Sequence, residues 1–384
     1  MRVLHLCSGN LYGGVETYLV TLASLRNLCP TMEPEFALCF AGRLSQELRI
    51  LNVPVHLLGE VRVRFPWTVA RARRELKDLL RQKKYDAIVC HSAWLQAIFG
   101  PVVRACGPAR VPLVFYLHCA ARKNHWVEHW AARVVPDYVI CNSRYTQNTL
   151  AKMYPGVKND VAYFPVAMPQ QFSLEERMAV RAELQTPSDA VVIVQVSRME
   201  AWKGHNLLLQ ALAALPRNVN WAAWIVGGGQ RPREVEYMSR LKEKARDYEI
   251  ASRLRFTGQR NDVARLLSAG DIFCQPNLDP EPFGIAFVEA LSTGLPVITT
   301  ALGGALEVVD DSCGILVPPN DAPALTAALG RMLTNTEMRR KLGHHASLRA
   351  QAFCNPEKQM KALERLLSSA TGYESEVCRD HQYA

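Results

Sequence analysis

No apolar run in this chain reaches the ~18 residues that a bilayer-spanning helix requires, so no membrane span is expected. The opening residues, MRVLHLCSGN, hold too short an apolar core for a signal peptide and read as a first buried strand. The eleven cysteines are scattered and none stand in C-x-x-C spacing, which leaves a zinc site unsupported and reads as reduced thiols in a cytoplasmic core. No G-x-G-x-x-G follows the first strand, so a nicotinamide cofactor is not indicated. No D-x-D pair ends a strand, and Asp310-Asp311 lies past the segment that carries the chemistry, so no metal and no other cofactor are expected. Nucleic-acid motifs and internal repeats are also missing, and no nucleic-acid partner is expected.

Acidic residues are scarce in the first half. Residues 1–165 hold 21 Lys and Arg against 11 Asp and Glu, whereas the remainder holds 24 against 25. Much of the surplus lies between Glu60 and Lys84, where nine basic residues face three acidic ones. Such a stretch is either a solvated helix face or a surface that meets anionic lipid or an anionic acceptor.

What is present is a globular chain of two-domain length, with 384 residues, 49% hydrophobic and 21% charged. Strand-like runs recur at Val3–Cys7, Phe36–Phe40, Val55–Leu58, Ala87–Cys90, Leu113–Leu117 and Tyr138–Cys141. Helical patterns between most of them predict a doubly wound parallel sheet. The prolines of Val161–Pro169 mark a crossover. A second set begins at Ala190–Val196, an almost wholly apolar strand of the buried parallel kind. The predicted division is 1–166, 167–355, and a last helix with a polar, loose tail over 356–384. Ala322–Leu342 reads as helical and Glu357–Ser369 as a final helix, while Glu234–Tyr248 reads as a charged helix covering a sheet.

Ligands of such sheets bind at the carboxyl ends of the strands, and several runs end in useful residues. Ser8–Gly14 is a glycine loop before a helix that starts near Val15. His91 and Ser92 follow one strand and His118 another. Arg198 and Lys203 follow the first strand of the second set, where two cations would neutralise a diphosphate. Gly227-Gly-Gly229 permits close backbone approach or is a loose turn.

The segment Gln275–Gly304 is the richest. After the strand-like Asp271–Cys274, a loop with Pro276, Pro280 and Pro282 leads into a helical pattern, Ile285–Leu291. Gly294 is placed as its C′ residue, and Val297–Thr300 reads as the next strand. Glu281 lies in the loop and Glu289 in the apolar helix, where an unpaired carboxylate is costly. The N–H groups of Phe283, Gly284 and Ile285 stand at the helix start, which favours anions. Hydroxyl-binding carboxylates beside a phosphate-binding helix end suit a sugar joined to a phosphate. The alternative is a loop charge and a helix charge that both face water.

Glu281-Pro-Phe-Gly-x4-Glu289-Ala, followed by Gly294-x-Pro-Val, Gly303-Gly304 and Gly314-x-Leu-Val-Pro-Pro-x-Asp321, resembles the E-x7-E motif of retaining glycosyltransferases of family 4. The likeness is strongest over Val191–Asp321 and weakest over Phe40–Ala87. It implies the GT-B fold, two Rossmann-like doubly wound α/β domains facing a cleft, with the C-terminal helix crossing back to the first. It implies that Gly13 and Gly14 lie near the donor phosphates and the acceptor, and His118 near the transferred sugar. By the same resemblance, Arg198 and Lys203 bind the donor pyrophosphate, and Gly258, Gln259 and Arg260 lie near the base. Glu281 grips sugar hydroxyls, Glu289 the ribose, and Phe283, Gly284 and Ile285 the diphosphate. Ser143 is expected to cap a helix and Arg144 to reach the cleft.

The implied reaction is same-face, metal-independent transfer from a nucleotide diphosphate sugar, a UDP-sugar before GDP-mannose. The acceptor is a hydroxyl of a glycan, lipid-linked or small-molecule partner. The implied location is the cytoplasm, with the basic first half able to touch the inner membrane face. Two other classes share the fold. A sugar-nucleotide epimerase would release free nucleotide without an acceptor, and a non-catalytic interaction subunit would be expected to lack Arg198, Lys203 or Glu281.

Overall fold

A computed structural model describes residues 1–106, 111–122, 124–166 and 171–372. The end of the Val161–Pro169 crossover and the tail beyond Gly372 lie outside these residues. The chain divides into two compact units, Met1–Ala167 with Pro356–Ala384, and Met168–Asn355.

The first unit is built on β1 (Arg2–Cys7), β2 (Glu33–Leu38), β3 (Val55–Leu57), β4 (Ala87–Cys90), β5 (Leu113–Leu117), β6 (Tyr138–Cys141) and β7 (Asn159–Val161). They form one parallel sheet in the order β3-β2-β1-β4-β5-β6-β7. Helices cover both faces, which is why β4 to β6 are apolar throughout and wholly buried. Leu4, Leu6, Ile88, Phe99 and Phe115 are among its core residues. Order reverses between β1 and β4, the crevice position of such sheets. The last helix, Pro356–Thr371, belongs to this unit. It packs on the short turn Arg26–Leu28, and Thr31 donates a hydrogen bond to Glu364.

The second unit repeats the plan with β8 (Val191–Val196), β9 (Trp221–Val226), β10 (Leu254–Gly258), β11 (Ile272–Gln275), β12 (Val297–Thr300) and β13 (Gly314–Val317). The order is β10-β9-β8-β11-β12-β13, again all parallel, with the reversal between β8 and β11. Ile193, Leu208, Ile225, Cys274, Ile298 and Leu329 are in its core.

Several boundaries differ from the sequence reading. β2 runs over Glu33–Leu38 rather than Phe36–Phe40, because its pairing with β1 extends from Arg2↔Glu33 to Cys7↔Leu38. Pro34 fits there because β2 pairs with β3 only from Phe36 onward, so its missing N–H costs no rung on that side. β7 was not expected, since Asn-Asp-Val has no apolar run and is made a strand by pairing with β6 at the sheet edge. The helical stretch from Ala322 is as read, but it runs on to Cys354 and divides into Ala322–Thr334 and Thr336–Cys354. Asn335 stops the first with an extended backbone, and its Oδ1 accepts from Met338 N–H at 2.8 Å to cap the second.

Ser143 caps the helix Arg144–Thr149, accepting from Thr146 N–H at 3.0 Å, as its position predicted. Gly294 follows the helix Ile285–Ser292 at φ +81°, the left-handed C′ residue that its place predicted. Among the described residues every cysteine is a free thiol, and no helix is long and apolar enough to cross a membrane.

Candidate active site

In the second unit the chemistry collects beyond β8 and β11, the two strands at the reversal. Lys203 ends a short turn, Ala201–Lys203, and Gly204 follows at φ +75°. A Cβ built on Gly204 would stand 1.8 Å from the carbonyl oxygen of Pro276, so only glycine lets the loop after β8 touch the loop after β11. Leu278 N–H donates to Trp202 O at 2.7 Å, and the buried amide of Gln195 donates to Lys203 O at 2.8 Å. These contacts fix the lysine.

Lys203 Nζ then meets Glu281 Oε2 at 2.6 Å, with side chains only 14% and 11% exposed. The same oxygen accepts from Asn277 Nδ2 at 3.0 Å and Gln275 Nε2 at 3.4 Å. Among the described residues nothing donates to Oε1. The backbone of Glu281 is held as well, since Gly304 N–H donates to its carbonyl at 2.6 Å. Glu281 is therefore a clamped carboxylate with one oxygen turned to its own neighbours and one available.

Arg198 is also paired. Its Nη2 donates to Glu234 Oε1 at 2.6 Å and lies 3.2 Å from Glu200 Oε1, while its buried Nε has no partner among the described residues. Burial acts to raise the Glu234 carboxyl, but the Gln230 N–H and the Arg198 guanidinium hold it below the usual carboxylate range. Glu234 was read as part of a helix that merely covers the sheet. It is instead buried at the start of the helix Pro232–Asp247, because it is the counter-charge of Arg198.

Gly284 is the residue before the helix Ile285–Ser292 and sits at φ +94°. Phe283 is buried and stacks on Phe353 at 6.3 Å. Glu289 lies in the helix, half-buried, and no group of the described residues donates to its carboxylate. Burial pushes its carboxyl up to about 7. Gly258 ends β10 and joins Gly227, whose N–H donates to the Gly258 carbonyl at 2.9 Å. Arg260 is bound elsewhere, at 2.8 Å to Asp262 and 2.7 Å to Glu183.

In the first unit, Gly13 precedes the helix Gly14–Ser24, and its N–H donates to Glu16 Oε2 at 3.0 Å. His118 follows β5, buried, with its ring stacked on Tyr116 at 4.4 Å and 9°. Its Nε2 is 2.8 Å from His91 Nδ1, and His91 Nε2 is 2.9 Å from His5 Nδ1. The structure thus groups Lys203 with Glu281, and His118 with His91. The residues that sequence reasoning missed are the holders, Gln275, Asn277, Glu234 and His5. Polar residues in and just after a buried strand were the available signal for the first two.

Two parallel doubly wound units, one carrying clamped cations and carboxylates at its strand ends, define a GT-B type α/β protein. Residues 12–166 match the model of Glycosyltransferase Family 4, and residues 176–349 that of Glycosyl transferases group 1. The chain belongs to this glycosyltransferase family. It is 29% identical to a GDP-mannose-dependent alpha-(1-6)-phosphatidylinositol monomannoside mannosyltransferase of Mycolicibacterium smegmatis, over 70% of this chain and 72% of the relative. It is 26% identical to a D-inositol 3-phosphate glycosyltransferase of Corynebacterium glutamicum, over 81% of this chain and 79% of that one. Among solved structures, Anabaena Alr3699/HepE in complex with UDP-glucose shares the fold with a TM-score of 0.85 at 23% identity, covering 96% of this chain and all of that one.

Proposed function

We propose that this glycosyltransferase moves a hexosyl group from a nucleotide diphosphate sugar to a hydroxyl of a phosphate-bearing, lipid-linked acceptor, with retention at the anomeric carbon. The observation that carries this reading is the Lys203–Glu281 pair at 2.6 Å, beside a helix start and the unpartnered Glu289. A diphosphate leaving group needs positive charge that is already in place when the bond breaks. Arg198 keeps Nη2 on Glu234 and offers Nε and Nη1. Lys203 and the N–H groups of Gly284 and Ile285, with that of Phe283 as the motif implies, complete the anion site. Glu281 Oε1 accepts sugar hydroxyls. The acceptor is deprotonated by the leaving phosphate on the same face. Because protein cations meet the diphosphate charge, this mechanism requires no metal.

Glu289 accepts the ribose hydroxyls, and Gly258 backs the base. In the first unit we assign His118 to the transferred sugar and Gly13 and Gly14 to phosphate and acceptor. The acceptor class rests on relatives whose named acceptors carry phosphate, and on the basic stretch of the first unit. There Val63 and Trp67 are exposed among Arg62, Arg64 and Arg74, a mixture suited to an anionic membrane surface. We take a UDP-sugar as the first reading of the donor, as the family resemblance implies. GDP-mannose is the second reading, favoured by the mycolicibacterial relative and by a corynebacterial one that is 24% identical over 93% of this chain.

The test is thermal shift with UDP-, GDP- and ADP-sugars in the presence of a chelator, followed by NMR of the product anomer. One nucleotide class is expected to stabilise the protein, by about 2.7 kcal/mol at a hundredfold excess over Kd. The shift is lost in Arg198→Ala and Glu289→Ala, and the product keeps the donor's anomeric configuration. Folded protein that no donor stabilises, or a product with inverted configuration, overturns the reading.

Binding is also expected to depend on pH. Hydroxyl donors favour the ionised form of Glu289, whose carboxyl stands at about 7. Nucleotide binding therefore releases a proton, and affinity rises several-fold between pH 6 and 8. Calorimetry in buffers of different ionisation enthalpy reads this, and Glu289→Gln removes the slope.

A further inference from the structure

The three histidines His5, His91 and His118 come from adjacent strands. His5 lies within β1, His91 follows β4 and His118 follows β5, and the sheet order places β4 between the other two. Their rings are strung nitrogen to nitrogen, at 2.9 and 2.8 Å. Aromatic rings wall them in. Phe36 stacks on His5 at 5.4 Å, Tyr116 on both His91 and His118, and Phe164 lies 5.4 Å from His118. All three are buried, and burial pushes His5 and His118 down to about 3 and His91 well below its ordinary value. The trio is neutral at physiological pH.

Three neutral imidazoles carry one N–H each. Two of these protons fill the two hydrogen bonds, so the third must sit at one end, on His118 Nδ1 or on His5 Nε2. Within the trio, these are the two ring nitrogens that are buried without a partner among the described residues. If His91 donates from Nδ1, His118 carries its proton on Nδ1 and offers a donor. If His91 donates from Nε2, His118 Nδ1 is a bare acceptor and the spare proton rests on His5. The two states interconvert when a proton passes from one terminal nitrogen to water, another enters from water at the other terminal nitrogen, and the two bridging protons hop across their N···N bonds, so the net charge of the trio does not change.

We propose that His91 and His5 are positioning residues that set the tautomer of His118, so that the three rings present one shared proton choice at the sugar-facing nitrogen, His118 Nδ1. This rests on the assignment of His118 to the transferred sugar. A ligand oxygen that accepts a hydrogen bond there draws the spare proton to His118, and a hydroxyl that donates sends it to His5. A merely structural buried histidine would have both nitrogens satisfied. Here only the middle ring does, and the chain ends at the carboxyl end of a strand, where ligands of such sheets bind.

The test is imidazole 15N NMR on the full-length protein, alone and with UDP-glucose or GDP-mannose. Three neutral rings with coupling across both N–H···N bonds are expected at pH 7. Saturating nucleotide sugar is expected to shift the nitrogens of His5, which the ligand does not touch. His91→Phe is expected to abolish that shift and to lower kcat on the order of tenfold to a hundredfold, with KM for the donor little changed. His91→Gln, which still donates and accepts, recovers part of kcat. Charged rings, absent coupling, or a His91→Phe enzyme with wild-type kcat overturns the inference. His118→Ala with unchanged kcat, in a protein whose wild-type form shows the coupled chain, overturns the sugar assignment instead and leaves the proton chain standing.

Discussion

Lys203→Met is expected to cost this protein about 3–5 kcal/mol of stability, because it strands the buried Glu281 carboxylate without its charge partner. That is a large share of the 5–15 kcal/mol typical of a domain. Adding Glu281→Gln removes the stranded charge, and the neutral amide still accepts from Asn277 and Gln275. The double variant is expected to return to within about 1 kcal/mol of the parent, since an apolar or neutral replacement of a buried pair is often close to neutral. Transfer activity is expected to stay down by about 10²–10⁴, because the charge on the leaving group and the grip on the sugar are both gone. Urea midpoints and initial rates on the two single variants and the double separate these effects. A double variant with parental turnover would make the pair structural only.

The second large effect is loss of stability in mild acid, concentrated in the first unit. A buried histidine with a lowered pKa binds fewer protons folded than unfolded, so stability is full above its ordinary value and falls as pH drops below about 6.5. For His5 and His118 the fall continues to about 3. His91 shifts in the same direction. All three rings therefore act in the same direction, and a ring that stays neutral folded while charging unfolded contributes at most about 1.4 kcal/mol per pH unit.

Among its described residues the second unit has a single ring of this kind, His205, pushed down to about 3. Its effect is opposed by Glu289. With a carboxyl raised to about 7, Glu289 holds its proton folded but not unfolded between about 4.5 and 7, and so gains stability as pH falls through that window. The first unit is therefore expected to unfold first near pH 5. Thermal melts from pH 7.5 to 4.5 check this, with limited proteolysis to identify the unit. His5→Leu with His91→Phe is expected to flatten the slope. A melt independent of pH down to 4.5 sinks the account.

Much of the second unit was legible because local rules and tertiary demands agree there. The apolar run ahead of Ser197, the prolines after β11 and Gly294 in its left-handed turn each act within a few residues. Pattern alone locates such features. The misreadings fall where pairing decides. Asn159–Val161 is a strand only because β6 offers it an edge, and β2 begins at Glu33 only because β1 does.

The same division runs through the site. The sequence by itself determined the alternation of strand and helix, and the cations, carboxylates and histidine that follow their strands. These depend on residue type and spacing along the chain. Only the tertiary structure decided which charges meet. Arg198 turns to Glu234, 36 residues away, and Lys203 to Glu281, 78 away. Three histidines from separate strands become one proton-sharing chain. Electrostatics and hydrogen bonding act over a few ångströms of space, and strand order, not sequence distance, sets which side chains share those ångströms.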